Sequence, residues 1–419
     1  MNTKPNELDV LIVGGGMVGA TTACALAMNG LRVGVIEPYP ASHDFDSSNY
    51  DNRVSAITRA SEQIFRALGA WDAMCAQRVT PFREMQVWDG AGRGSIHFDC
   101  AELGEDALGY IVENRVIQTT LLATLRGLPQ TVIYCPVTPA KLRIDDSAAA
   151  LTLDDGRTLR AALIVGADGH ASWVREQCGI ALRTTSYEQS ALVANVKTTL
   201  PHQDTAWQRF TAEGPVALLP LANGHSSLVW SVPHARAESL LQLDDESFLH
   251  ALNAAFGDRL GVIHTVGPRA AHPLQRTHAH AYVSARVALV GDAAHTIHPM
   301  AGQGVNMGLL DAAALAEVLI AARGARRDPG DLLVLRRYER WRKGHNYALQ
   351  VAIDGLKHLF ASPHPAVLWA RNLGLRITND SDTLKNLIAQ HAIGRHGDLP
   401  ALARTQENPL SSPPLLSTP

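Results

Sequence analysis

Residues 9–37 read DVLIVGGGMVGATTACALAMNGLRVGVIE. The first run, which ends at Gly14, is rich in Val, Leu and Ile, and glycines follow it. Residues 17–30 then have helical composition, and a second apolar run ends at Glu37. This order of strand, glycine turn, helix and strand predicts a βαβ unit in about thirty residues. We therefore expect an α/β fold with a Rossmann-like domain at the start of the chain.

The glycine turn has the pattern Gly14-x-Gly16-x-x-Gly19. The first glycine permits the tight turn, the second lets a backbone approach a pyrophosphate, and the third allows close packing of helix on strand. The N-terminus of the helix would face the phosphate charge. Glu37, 18 residues beyond Gly19, can accept hydrogen bonds from an adenosine ribose. The pattern predicts an ADP-containing cofactor and leaves NAD and FAD open.

Two further glycine–aspartate turns favour FAD. Residues 166–175 read GADGHASWVR and contain Asp168, and residues 291–308 read GDAAHTIHPMAGQGVNMG and contain Asp292. A nicotinamide dehydrogenase needs no second and third turn of this kind. FAD, which extends across the domain, needs such additional turns, because its ribityl and pyrophosphate groups must be held away from the adenine end.

The three glycine segments together resemble those of the single-component aromatic hydroxylases that use FAD, such as p-hydroxybenzoate hydroxylase. More narrowly, they resemble the ubiquinone-biosynthesis hydroxylase family. Other matching stretches are RVSAI at 53–57, GAWD at 69–72, IVEN at 111–114 and LRRYER at 335–340. The resemblance covers about residues 8–395.

The resemblance implies a set of cofactor-binding residues. Gly14, Gly16, Gly19 and Glu37 would hold the ADP half of FAD; Arg53 and Asn114 would lie along the cofactor; Asp168 would close the fold over it; Asp292 would bind the ribityl hydroxyls; and Pro299, Gly302, Gly304, Val305 and Asn306 would border the flavin. The amides of 304–306 would open a helix whose positive end stabilises the anionic reduced flavin. Neither a Ser-His-Asp set nor a carboxylate pair is recognised, so no catalytic side chain is assigned.

The rest of the chain divides into layers that make the fold α+β overall. Residues 1–183 and 273–325 are expected to form a discontinuous FAD-binding domain. Residues 184–272 would form an antiparallel-sheet substrate domain, in which a hairpin over 215–232 supplies part of the substrate wall. C-terminal helices are expected over 326–397, including one near 366–392. A proline-rich, disordered tail is expected over 398–419.

Composition excludes several classes of protein. The net charge of −3, from 37 basic and 40 acidic residues, gives no footprint for nucleic acid. Five scattered cysteines without a CxxC pair indicate reduced thiols and a cytoplasmic location. His295 and His298 are not expected to bind a metal, because Pro299 and several glycines interrupt any helix there. Neither a signal peptide nor a membrane-spanning segment is expected.

The resemblance implies an NAD(P)H- and O2-dependent hydroxylase. With only one GxGxxG, the chain offers no second dinucleotide domain, so NAD(P)H would bind transiently. A flavin C4a-hydroperoxide would hydroxylate a lipophilic phenol or quinol of ubiquinone biosynthesis. Stretches 101–110 and 207–211 favour 2-polyprenyl-3-methyl-6-methoxy-1,4-benzoquinol.

Alternatives remain open. The sequence is also compatible with three other functions: an FAD-dependent hydroxylase of another aromatic substrate, a flavin-dependent reductase of isoprenoid chains, and a non-catalytic flavoprotein scaffold of a biosynthetic complex. A halogenase is disfavoured, because residues 230–233 only partly match its WxWxIP signature. Residues 323–343 carry eight basic and three acidic side chains. They predict either a solvated helix face or a patch that contacts anionic lipid at the inner face of the membrane, or an acidic partner in a ubiquinone-biosynthesis complex.

Overall fold

The computed structural model describes residues 8–41 and 50–404. Its strands are β1 Leu8–Val13, β2 Val33–Ile36, β3 Val54–Thr58, β4 Val79–Phe82, β5 Glu84–Asp89, β6 Ser95–Asp99, β7 Gly109–Glu113, β8 Thr131–Tyr134, β9 Pro139–Ile144, β10 Ala149–Leu153, β11 Thr158–Gly166, β12 Leu182–Thr198, β13 Thr205–Phe210, β14 Pro215–Pro220, β15 His225–Pro233, β16 Ile263–Val266, β17 Ala270–Ala279, β18 Val283–Ser284, β19 Val287–Leu289 and β20 His295–Thr296. Its α-helices are α1 Met17–Met28, α2 Arg59–Ala67, α3 Trp71–Gln77, α4 Asn114–Arg126, α5 Trp173–Gln177, α6 His234–Leu241, α7 Asp245–Phe256, α8 Gly304–Gly324, α9 Leu332–Ala361, α10 Pro365–Asp380 and α11 Asp382–Ala392.

The first sheet carries the predicted βαβ unit. Its strands follow the order β18-β19-β11-β1-β2-β8, and β1 pairs in parallel with both β11 and β2. Strands buried on both faces of a sheet need continuous apolar runs, and LDVLIV and VGVI supply them. Helix α1 packs against α8 and α4, so its residues from Gly19 to Ala27 are buried on all sides. The α/β class and the Rossmann-like start of the chain are confirmed.

The second sheet includes strands from outside the segment 184–272. Its order is β20-β17-β12-β15-β14-β13-β5-β6. The expected hairpin is present, with β14 and β15 antiparallel. Strand β5 pairs in parallel with β13, and β6 completes that edge. Residues 84–99 therefore belong to this sheet, although the predicted bounds of the substrate domain leave them out. The sequence does not reveal this pairing, because a parallel partner strand more than a hundred residues away gives no local signal.

The C-terminal helices differ from prediction at one point. A single helix was expected near 366–392, but the chain breaks at Ser381, whose φ is −110° and ψ is 96°. The Ser381 side chain accepts a hydrogen bond from the amide of Leu384 at 3.4 Å and so begins α11. Serine favours this capping position over a helix interior.

Residues 398–404, which the sequence assigns to the tail, pack on the first domain. A 3-10 turn covers Ala401–Ala403, in which Ala403 is buried and the amide of Ala401 donates to Glu317. The tail prediction over 405–419 lies outside the described residues.

Helix α8 is the central helix of the core. It is long and apolar enough to cross a membrane by composition, yet 72% of its most apolar stretch is buried inside the protein. It packs on both α1 and α9.

Candidate active site

The predicted glycine turns meet at one edge of the parallel sheet. Strands β1, β2, β11 and β19 run in the same direction, so their carboxyl ends lie side by side. Gly14 has φ +103°, and a Cβ there would approach the carbonyl oxygen of Ala167 to 2.3 Å. The first and second turns are therefore in direct contact. In open α/β sheets this carboxyl edge is where ligands bind.

Gly16 faces open space. It precedes the first residue of α1, has φ −68°, and a Cβ placed on it would meet no atom within 4 Å. The first turn of α1 holds no acidic side chain, so its amides present the positive end of the helix dipole to this space. Gly19 is the opposite case, because its Cβ would lie 1.9 Å from the carbonyl oxygen of Gly14. The turn thus leaves a cradle at Gly16 and requires glycine at 19 for packing.

Glu37 directly follows β2 and lies beside this cradle. Its carboxylate accepts hydrogen bonds from the amides of Gly15 at 2.7 Å and Tyr39 at 3.1 Å. Gln118 binds the carbonyl oxygen of Gly15 from the other side at 3.0 Å. The acidic residue expected at the ribose position is therefore fixed against the glycine turn.

Asp168 holds the second turn in shape. One carboxylate oxygen accepts the amide of Val174 at 3.0 Å, which anchors the start of α5. Burial raises the pKa of Asp168, while the hydrogen bonds from Ser172 and Val174 lower it. Arg175 is buried and donates to the carbonyl oxygen of Ala293 at 3.0 Å, so the second turn is tied to the third.

Asp292 lies on the third turn, over the short 3-10 segment Gly291–Ala293. Its side chain is exposed, whereas both neighbours in the turn are buried. Although it is accessible to solvent, the Asp292 carboxyl is closely surrounded by protein, which raises its pKa, and the charges of His295, His170 and Arg53 lower it. A carboxylate with free acceptor capacity at this edge suits sugar-alcohol hydroxyls.

Arg53 and Asn114 sit together at the start of β3 and α4. The amide of Asn114 donates to the carbonyl oxygen of Arg53 at 2.9 Å, and its side chain accepts from Ser55 at 2.7 Å. The Arg53 side chain is exposed, and its charge acts on Asp292. Arg53 is therefore close to the third turn, and the placement of both residues along the cofactor stays a prediction.

The loop from Pro299 to Asn306 follows the third turn and leads into α8. Gly302 has φ +59°, and its Cβ would come within 2.9 Å of Ala56. Gly304 begins α8, and the amides of Gly304, Val305 and Asn306 precede its first helical hydrogen bond, from Met307 to Gln303. These amides form the positive end of the dipole of a 21-residue helix.

The Asn306 side chain is fully engaged within the protein. It accepts from the amide of Thr58 at 3.0 Å and from the Ser61 hydroxyl at 2.7 Å. It donates to the carbonyl oxygens of Ala56 and Gly302, both at 2.8 Å. Asn306 therefore offers a ligand only its backbone amide, and its side chain fixes β3 against α8.

A cavity of about 260 Å³ adjoins the amides of α8. One wall comes from alternate residues of the β14–β15 hairpin and from β13, and the other from the Pro299–Val305 loop. Its lining residues are Val54, Ser55, Ala56, Phe82, Met85, Ile111, Ala206, Gln208, Pro215, Ala217, Leu219, Val229, Ser231, Ile297, Pro299, Met300, Gly302, Gly304 and Val305. Within the described part of the chain, this lining includes no titratable side chain.

A buried polar network behind the third turn escaped the sequence reasoning. Asp311 of α8 is 0% exposed and accepts from Gly291, His295, Arg342 and Asn346 at 2.5–3.3 Å. Although burial raises its pKa, the charges and hydrogen bonds of His295 and Arg342 lower it to about 2. The available signal was a carboxylate within the mostly apolar first half of α8.

The two histidines after the third turn serve separate partners. His295 binds Asp311, whereas Nδ1 of His298 accepts the amide of Met300 at 3.2 Å. Among residues 8–41 and 50–404, no group of three or more His, Cys, Asp or Glu side chains is placed to hold a metal ion.

Comparison with known proteins shows the family. Residues 7–349 match the family model described as an FAD binding domain. A ubiquinone hydroxylase, UbiL, of Rhodospirillum rubrum is 41% identical over 92% of this chain and 89% of its own length. The 3-demethoxyubiquinol 3-hydroxylase of Escherichia coli is 38% identical over 94% and 100%, and the human mitochondrial ubiquinone biosynthesis monooxygenase COQ6 is 38% identical over 92% of each.

Solved structures agree on the fold. The p-nitrophenol 4-monooxygenase PnpA of Pseudomonas putida superposes with a TM-score of 0.77 at 20% identity, over 93% of this chain and 99% of that one. The family model and the curated relatives show that the chain is a flavin-dependent monooxygenase. The chain belongs to the FAD-binding-domain family and, within it, to the ubiquinone-biosynthesis hydroxylases, as the resemblance predicts.

Proposed function

We propose that this protein hydroxylates the ring of a prenylated quinol intermediate of ubiquinone biosynthesis, with 2-polyprenyl-3-methyl-6-methoxy-1,4-benzoquinol as the favoured substrate. The observation that carries the proposal is the cavity beside the α8 amides, whose lining is apolar apart from Ser55, Gln208 and Ser231. Such a lining suits a lipophilic ring. It lacks a base, so it suits a ring whose own hydroxyl groups make it electron-rich enough to react without one.

The residues at the carboxyl edge fit FAD. Gly16 would leave room for the pyrophosphate, Glu37 would face the adenosine ribose, and Asp292 would accept the ribityl hydroxyls. The amides of Gly304 and Val305 would stabilise negative charge on the ring system beside the cavity. When bound, FAD supplies the oxygen-transfer chemistry, with O2 as oxidant and NAD(P)H as a transient reductant. The protein orients the ring and excludes water.

The reaction class and ring position are tested by complementation. The chain is expressed in bacterial strains that each lack one ubiquinone ring hydroxylase, and quinones are measured by mass spectrometry. Restored ubiquinone in the strain that accumulates the methoxy-methyl intermediate is the expected result. Restoration in a different strain would move the ring position, and no restoration by a soluble, yellow protein would contradict the proposal.

Asp292→Ala is expected to weaken FAD binding while the chain remains folded. The Asp292 carboxylate is exposed, so its loss should not disturb the core. Because a hydrogen bond to a charged group contributes about 1.5–3 kcal/mol, FAD affinity should fall roughly tenfold to a hundredfold. Flavin absorbance per polypeptide and FAD titration measure the loss. Asp258→Asn, on an exposed residue of another loop, is the control. Unchanged affinity in Asp292→Ala would remove Asp292 from the site.

Gln208→Leu is expected to raise KM for the quinol about tenfold and to leave FAD affinity unchanged. Gln208 is the one amide side chain in the described lining of the cavity, and one lost hydrogen bond to substrate is worth about 1 kcal/mol or slightly more. Quinol-dependent NAD(P)H oxidation gives KM. Gln242→Leu, exposed at the end of α6, is the matched control. An unaltered KM would mean that Gln208 does not contact the ring.

A further inference from the structure

The two C-terminal helices α10 and α11 each present an apolar stripe to the outside. On α10 the stripe is Trp369, Leu373 and Ile377, which are 69%, 39% and 55% exposed. Their spacing of four residues puts them on one face of the helix. The opposite face is anchored by Arg371, which is buried and forms a bidentate pair with Asp89.

Helix α11 repeats this arrangement. Leu384, Leu387 and Ile388 are 40%, 50% and 43% exposed and share one face. Lys385 and Ala389 are buried on the other face. Among the described residues, none covers either stripe. Contiguous apolar surface of this kind marks an interaction site.

The α11 stripe is continuous with the interior of the protein. A compartment of about 100 Å³ lies beneath this helix, and Ile388, Ala389, Ala392 and Ile393 form its outer wall. Its inner wall includes Ala56, Phe82, Met85 and Gly302, all of which also line the cavity beside the α8 amides. Ile388 belongs both to the exposed stripe and to the compartment. The cavity and the compartment therefore share apolar walls, and Ile388 extends this apolar lining to the outer face of α11.

Charges of both signs lie beside the stripes. Arg376 is exposed on α10, and Asp380 and Asp382 flank the junction between the helices. By contrast, some of the basic side chains in the segment 323–343 are bound to other groups of the protein. Arg342 is buried against Asp311, and the Lys343 ammonium donates to the carbonyl oxygen of His280. Apolar contact, rather than charge, is the stronger feature of this end of the molecule.

We propose that the α10 and α11 stripes rest on a lipid bilayer, so that the compartment under α11 opens toward the membrane. The proposal rests on the proposed function, because a substrate with a polyprenyl chain resides in lipid. Paired amphipathic helices with a tryptophan lie in the membrane interface through their apolar faces. A protein partner would not need an apolar compartment beside the cavity, whereas a lipid chain could occupy one.

The test uses the full-length, FAD-loaded protein and neutral phosphatidylcholine vesicles in a flotation assay. The wild-type protein is expected to float at low and at high salt. Trp369→Ser/Ile377→Ser should lower the bound fraction at least about tenfold, since each large apolar side chain contributes on the order of a tenfold change in partitioning. Leu200→Ser/Val262→Ser is the matched control, because these residues are 52% and 57% exposed on the substrate-sheet domain. This control should float like the wild type.

A different flotation pattern overturns the docking proposal. Wild-type protein that stays with the vesicle-free fraction, or an α10 variant that floats equally well, contradicts it. If light scattering shows a wild-type dimer that the α10 variant dissolves, and vesicles do not bind, a second copy covers the stripes. Turnover of a short-chain quinol is measured on the same preparations. Turnover of the quinol without flotation would contradict only the docking proposal. Flotation without turnover of any quinol would contradict only the proposed function.

Discussion

Gly16→Val is expected to give a folded protein that no longer retains FAD. The backbone at Gly16 has φ −68° and tolerates a side chain, and a Cβ would meet no protein atom within 4 Å. The added isopropyl group would fill the space that the proposed pyrophosphate needs beside the amides of α1. Affinity for FAD should fall at least about a hundredfold, which corresponds to about 2.7 kcal/mol. Flavin absorbance per polypeptide and fluorescence titration with FAD measure it.

Two other glycines provide the controls for Gly16→Val. Gly324 also faces open space, at the end of α8, so Gly324→Val should keep full FAD affinity. Gly19→Ala would place a Cβ 1.9 Å from the carbonyl oxygen of Gly14, so it should cost about 1–3 kcal/mol of unfolding free energy even in the apoprotein. If Gly16→Val stays as yellow as the wild type, the pyrophosphate does not lie at this turn.

Much of the fold and cradle is predictable because it is encoded locally. Gly14, Gly16 and Gly19 report on a turn that strand and helix composition already bracket, and Glu37 follows at a fixed distance along the chain. The hairpin at β14–β15 is marked by Asn223 and Gly224, of which Asn223 has φ +58°. Such signals require no knowledge of the rest of the molecule.

The parts that escaped prediction depend on distant partners. Strand β5 joins the second sheet only through β13, and no periodicity in residues 84–89 reveals that pairing. The expectation for Asn306 concerned its backbone amide; the role of its side chain, which bonds Thr58 and Ser61 about 250 residues earlier in the chain, has no local signal. The break at Ser381 was missed because helical composition continues on both sides of it.

Asp311→Asn is expected to destabilise the protein by about 3–5 kcal/mol, because it leaves Arg342 buried without its charge partner. The Asn amide would also present hydrogen-bond donors toward groups that donate to the native carboxylate. Because Asp311 accepts from the amide of Gly291, FAD affinity should fall as well. Urea unfolding of the apoprotein measures the first effect. Asp245→Asn, which breaks an exposed pair with Arg269, should cost about 1 kcal/mol or less.

The pH dependence separates loss of the Asp311 charge from general damage to the core. The pKa of Asp311 is about 2 in the folded chain, against 3.8 in the unfolded chain, so its ionisation stabilises the folded state above about pH 4. That contribution disappears as the pH falls from about 4 to about 2. The stability gap between wild type and Asp311→Asn should therefore narrow across this interval. A gap that stays constant would mean that shape, not charge, accounts for the effect. Asp311→Asn combined with Arg342→Met should recover part of the loss, since removing both charges relieves the unpaired guanidinium.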